Sequence, residues 1–292
     1  MQALWMALGA LFFAFMGVCI KLASSDYSSM EIVFYRGLTG MVLFSIIMAV
    51  RKIPLYTPVP RLHIQRNLAG VTAMSLWFYA IGQLPFATGM TLNNMSSVWI
   101  GAIVIGSAWW KTKKIGYPWL FIAILSGFVG VVLLLNPKFD GTPLLPGLMG
   151  LCSGVLSATA YMQVSALGQA GEPEDRTVFY FSIGTAVLGL LSAYVFGQGL
   201  SPLRWPSAWM LPATGIFASL GQWCLTRAYS NGSTLVVACL QYLGIVFSAL
   251  LGVVIFNDQL HPTAWFGIVL IVLSGIAATL LRQHSVKKLF VK

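Results

Sequence analysis

The sequence predicts an all-α integral membrane protein of ten transmembrane helices, built as two inverted five-helix repeats. Three observations predict it. The 292 residues are 58% hydrophobic and 8% charged, with mean hydropathy +0.83, whereas a soluble domain carries roughly 25% Asp, Glu, Lys and Arg. Apolar runs follow one another with short interruptions, and a helix needs ~20 mostly apolar residues to cross about 30 Å of hydrocarbon. Finally, Val33-Phe34-Tyr35 returns 145 residues later as Val178-Phe179-Tyr180.

In chain order the expected spans are residues 2–24, 30–50, 64–84, 87–110, 116–135, 146–168, 177–197, 207–229, 233–256 and 262–281. The first starts close to Met1, which lacks a basic n-region, so it reads as a span and not as a cleavable leader. Turn chemistry punctuates the connections. Pro54, Pro58 and Pro60 precede the third span, Asn136-Pro137 follows the fifth, and Gly171-Glu172-Pro173 precedes the seventh.

Fifteen of the 17 Lys and Arg residues orient the spans, while Arg36 and Arg227 fall within them. Arg51, Lys52, Arg61, Arg66, Lys111, Lys113, Lys114, Arg176, Arg282, Lys287, Lys288 and Lys292 fall on the side of the two termini. Lys21, Lys138 and Arg204 fall on the other. Cations in short loops stay in the cytoplasm, so both termini are expected there, in a bacterial inner membrane. The net charge of +10 is spread over helix flanks and forms no continuous basic face, so no nucleic-acid partner is expected. The four cysteines lie in apolar runs, which argues against a disulfide framework or a metal cluster.

The 145-residue offset also relates Gly9 to Gly154, Leu11 to Leu156, Ala73 to Ala218, Leu125 to Leu270 and Gly130 to Gly275. It maps spans one to five onto six to ten, dividing the chain into repeats 1–140 and 141–292. Because five is odd, the second copy enters the membrane from the opposite side. Inverted repeats are a common plan of secondary transporters, with the substrate near the midplane where the copies meet.

Several stretches resemble the EamA type of the drug/metabolite transporter superfamily. They are Ala7 to Gly17 (ALGALFFAFMG), Arg36 within FYRG, Tyr79 to Ala87 (YAIGQLPFA), Ile255 to Leu260 (IFNDQL), Trp265-Phe266-Gly267 and Leu273-Ser274-Gly275. The resemblance covers essentially the whole chain and, within the superfamily, is greatest to amino-acid exporters. It implies two five-helix repeats and export of small metabolites. One departure is that Lys111-Thr112-Lys113-Lys114 stands where members often carry an acid after helix four, while the second repeat keeps Asp258.

Polar groups within the spans are the candidate substrate ligands, because a polar or charged side chain in hydrocarbon requires a partner or a cavity. Arg36 lies about six positions into span two, roughly 9 Å along the helix, deep enough to hold a carboxylate with its fork of donors. Its structural alternative is a pair with Glu31. The amides are Asn93, Asn94, Gln163, Gln222 and Gln241. Ser96 stands opposite Gln241 at the repeat offset. The aromatic residues Trp77, Tyr79, Trp99, Tyr161 and Tyr242 recur near these amides and suit an amphipathic cavity wall. No His or acid falls deep in a span, so substrate-driven diffusion or exchange is expected without an intramembrane proton relay.

The expected function is export of small metabolites, amino acids foremost, by alternating access; the alternative is a multidrug or nucleotide-sugar carrier. The expected partners are a small-molecule substrate and the lipid bilayer, with the protein a monomer or weak homodimer. No cofactor or metal is expected. The sequence lacks HExxH and GxSxG, which argues against an intramembrane enzyme.

Overall fold

The structure is a computed structural model that describes residues 2–84, 86–112, 118–137, 143–195, 199–205, 207–257 and 259–290. Lys113, Lys114, Lys138 and Lys292, which entered the reading of charge, and Asp258, which entered the resemblance, lie outside the described residues. No strand occurs among those described.

The helices are α1 (Gln2–Ala23), α2 (Ser29–Val50), α3 (Pro60–Gln83), α4 (Phe86–Asn94), α5 (Ser96–Thr112), α6 (Pro118–Leu135), α7 (Leu144–Gln169), α8 (Glu174–Val195), α9 (Met210–Asn231), α10 (Thr234–Leu240), α11 (Leu243–Phe256) and α12 (Pro262–Phe290). Local chemistry sets several ends. Ser28 and Glu31 close a capping box at the start of α2. Proline opens α3, α6 and α12, where its missing N–H costs nothing. Asn136 and Asn257 follow α6 and α11 in the left-handed region, which asparagine tolerates.

Seven segments, counting α10 and α11 as one, have the length and composition to cross a membrane. The remaining expected spans correspond to α3, the α4–α5 pair and α9. Both α3 and α9 carry polar residues on their inner faces, including Arg66 on α3 and Gln222 and Thr226 on α9. The outward faces of the bundle are apolar instead. Leu4, Val50, Leu68, Trp110, Val254 and Phe266 stand exposed, as lipid-facing residues do.

Two expected spans are each interrupted. The fourth breaks at Met95, whose amide is shared between Thr91 O and Leu92 O, and the ninth breaks at Gln241-Tyr242. Past the second break, Tyr242, Gly244 and Ile245 donate to carbonyls three residues back, a tightened turn that bends the helix. The breaks touch each other: Ser97 Oγ donates to Ala238 O at 2.8 Å. A carbonyl near the end of α10 is thereby satisfied by the first turn of α5.

The largest helix contacts are α1 with α9, α3 with α7, α2 with α8, and α6 with α12. The α2–α8 crossing is close enough to exclude a side chain at Gly37, where an added Cβ would collide with the backbone of Ala186. The largest apolar core gathers Ile100, Ile124, Tyr229, Tyr242 and Ile271, all buried.

Candidate functional site

A polar stripe on α9 begins the site. Ser219, Gln222, Thr226 and Tyr229 recur at spacings of three and four, which puts them on one helix face, and all four are buried. Tyr229 is at 0% exposure, and its hydroxyl donates to Gln241 Oε1 at 3.1 Å, reaching the break between α10 and α11. The Tyr161 ring of α7 stacks on Tyr229 with centroids 5.4 Å apart and an interplanar angle of 2°.

Arg36 enters from α2 and Arg66 from α3. Arg66 is only 3% exposed, and its guanidinium lies 3.9 Å over the Phe181 ring of α8. Gly70, one turn along α3, makes room for it, since a Cβ there would collide with Arg66 Nη1. Arg36 donates from Nη1 to Met74 Sδ at 3.6 Å, a weak acceptor. Phe181 adjoins both arginines, since it lies under the Arg66 guanidinium and lines the pocket beside Arg36. A small pocket beside Arg36 is lined by Gly37, Phe181, Ser182, Ser219 and Gln222 among others, with about 10 Å³ of free space, room for roughly one water. The side chains beside Arg36 therefore fill nearly all the space there.

Of the residues singled out in the sequence, Arg36, Tyr161, Gln222 and Gln241 are brought to this region. The others make the following contacts. Tyr79 is 46% exposed on the outer face of α3. Tyr242 is fully buried, with Phe128 and Gly127 against its ring, so it belongs to the core. Asn94 donates back to Met90 O, and Asn93 donates to Ser153 Oγ of α7 at 3.3 Å. Trp99 packs against the main core, and Trp77 is half-buried one turn past Met74. Gln163 follows Tyr161 by two positions, about 200° around the helix, and so faces another way.

Glu31 does not pair with Arg36. Its carboxylate accepts from the backbone N–H groups of Ser28 and Ser201. Arg66 and Tyr229 were the residues that sequence reasoning passed over. Arg66 reads as a loop cation in the sequence because it stands three positions into span three. Its signal was the stripe Arg66, Gly70, Met74, Trp77 at helical spacing, a polar residue on an inward face.

A second polar cluster closes one end of the bundle. Glu172, in the turn between α7 and α8, accepts from Thr57 Oγ1 at 2.6 Å and from Arg176 Nη1 at 3.1 Å and 3.2 Å, and lies 3.2 Å from His63 Nε2. All four residues are buried. Arg51 pairs with Asp175 at 2.8 Å alongside. The cluster ties the α2–α3 loop to the α7–α8 turn. At the opposite end, Tyr27 and Glu31 accept from the backbone of Arg204 and Ser201 in the α8–α9 loop.

A polytopic helical bundle with apolar outer faces and polar groups at its centre defines a multi-pass membrane protein. Comparison with known proteins agrees. The chain belongs to the EamA-like transporter family, which matches residues 1–136 and again residues 145–280. It is 27% identical over 267 residues to the pseudopaline exporter CntI of Pseudomonas aeruginosa, covering 91% of each chain. It is 26% identical over 275 residues to an S-adenosylmethionine uptake transporter of Rickettsia bellii, covering 93% of this chain and 89% of that one. It is 24% identical over 213 residues to a riboflavin transporter of Vibrio cholerae, covering 73% and 69%. A solved crystal structure with 18% identity superposes with a TM-score of 0.84 over 97% of this chain and 98% of the other, so the two share a fold.

Proposed function

We propose that this protein is a secondary transporter that exports small metabolites, amino acids foremost, from the bacterial cytoplasm by alternating access. The two halves, 1–140 and 141–292, are inverted repeats, with both termini in the cytoplasm. The observation that carries the reading is the polar centre itself. Arg36, Arg66, Tyr161, Gln222 and Gln241 converge from α2, α3, α7, α9 and the α10–α11 break, where hydrocarbon would otherwise exclude them.

Three features support the repeat. The family matches twice in succession. The paired helices exchange consistently under the 145-residue offset, since α1 with α9 becomes α7 with α3, while α2 with α8 and α6 with α12 map onto themselves. The broken helices occupy equivalent places in the halves, which is where discontinuous transporter helices form substrate sites. One asymmetry fits a carrier closed on one side: α7 packs against α9, whereas its counterpart pair, α1 and α3, makes at most marginal contact. The charge bias assigns the Glu172 end, tied to His63 and Thr57, to the cytoplasm.

The test is counterflow of a labelled amino-acid panel in proteoliposomes, comparing the native protein with Arg36→Ala, Asn94→Ala and Gln241→Ala. Arg36→Ala and Gln241→Ala are expected to lower the rate or affinity at least about tenfold, with Asn94→Ala near native because its amide is spent on Met90 O. Absence of saturable exchange by the native protein for any member of the panel refutes the amino-acid reading.

A further inference from the structure

Among the described residues, no carboxylate pairs with Arg36 or Arg66. Each acid among the described residues is engaged elsewhere: Glu31 with the N–H groups of Ser28 and Ser201, Glu172 with Thr57, His63 and Arg176, Asp175 with Arg51, Glu174 with Asn231, and Asp26 with Ser25. Neither arginine donates a hydrogen bond to an oxygen atom of the described protein. The one such contact runs from Arg36 Nη1 to the thioether of Met74, and Arg66 Nε is buried without a hydrogen-bond partner.

Both guanidiniums lie by Phe181, Arg66 over its ring and Arg36 in the pocket that Phe181 lines, so their like charges repel, and no oxygen of the described protein replaces the water that burial takes from Arg66. An arginine fork matches a carboxylate with two parallel bonds, and each guanidinium carries five N–H donors. Phe181 covers one face of Arg66, which leaves its edge, where the N–H groups lie, to receive an anion. Gln222 and Ser219, in the pocket beside Arg36, are neutral.

We propose that Arg36 and Arg66 form the anion subsite of this transporter and that its preferred substrates are dicarboxylates, acidic amino acids among them, with one carboxylate on each guanidinium. This inference rests on the transport reading above, and it narrows the substrate from amino acids in general to those with two carboxylates. Loading by such a substrate sets one carboxylate against each guanidinium, so the loaded carrier crosses its closed state without an uncompensated pair of arginine charges.

The experiment uses the native protein in proteoliposomes and compares isosteric solutes: glutamate against glutamine, and aspartate against asparagine. The expected result is exchange of each acid at least about tenfold faster than its amide, with the preference lost in Arg66→Gln and partly kept in Arg66→Lys. Amides exchanged as fast as the acids, or a preference undiminished in a folded Arg66→Gln, overturn the anion subsite while leaving amino-acid transport standing. A panel silent in every member, acids and amides alike, instead overturns the transport reading and this inference with it. The comparison of acid with amide needs no variant, so a misfolded Arg66→Gln does not blunt the test.

Discussion

Replacing Glu172 with Gln tests whether the buried cluster at the α7–α8 turn holds one end of the carrier closed. Glu172 is 1% exposed at its side chain and takes Thr57, His63 and Arg176 together. Glutamine keeps the shape, and both the Thr57 hydroxyl and the His63 tautomer can adapt to an amide. What disappears is charge. A hydrogen bond to a charged group contributes about 1.5–3 kcal/mol against roughly 1 for a neutral one, so two cross-element bonds lose about 2 kcal/mol. Arg176, buried and with its Nε lacking a hydrogen-bond partner, is also left without a counter-charge while the end is shut. The sum is about 3 kcal/mol against the closed arrangement, or roughly 150-fold in the opening equilibrium.

Hydrogen–deuterium exchange in nanodiscs reads this opening directly, because protection of an amide reports the free energy of exposing it. Peptides covering residues 53–64 and 167–176 are expected to exchange on the order of 100-fold faster in Glu172→Gln, while α6 and α12 hold their protection. Protection within about threefold of native in those peptides refutes the latch. Equal loss across the whole bundle refutes it too, since that signals general destabilisation.

Two further outcomes follow from named contacts. His63 sits in the first turn of α3, ahead of the apolar span, and burial pushes its imidazole below the usual range even though Glu172 pulls it upward. With the folded value depressed, the neutral imidazole contributes stability fully above about pH 6.5, and that contribution is lost as pH falls through the folded value. Exchange protection in the same two peptides should therefore drop on acidification below about pH 6, and His63→Gln should flatten the dependence. Separately, Gly37→Val is expected to cost about 1–3 kcal/mol or more by forcing α2 from the backbone of Ala186, whereas Gly17→Ala, with open space around it, should leave the melting temperature in detergent unchanged.

Composition and span length alone made a multi-pass helical membrane protein the only reading, because no soluble core could bury so much apolar surface, and the order of helices followed from the apolar runs. The same hydropathy could not show that spans four and nine break. The interruptions at Met95 and Gln241-Tyr242 remove only a residue or two of regular helix inside runs that stay apolar, and what supports them is a contact between the two breaks, Ser97 to Ala238. The site divides along the same line. Arg36 and Gln222 stood out in the sequence as polar groups in hydrocarbon, a local property. Arg66 read as a flanking cation because its distance from the span edge is a matter of one helical turn, and its burial depends on Phe181 and Gly70 lying where other helices put them. Tyr79 and Tyr242 read as wall residues because a sequence says which ring is present and not which way it turns. That choice is set by helix rotation, which packing between distant segments decides.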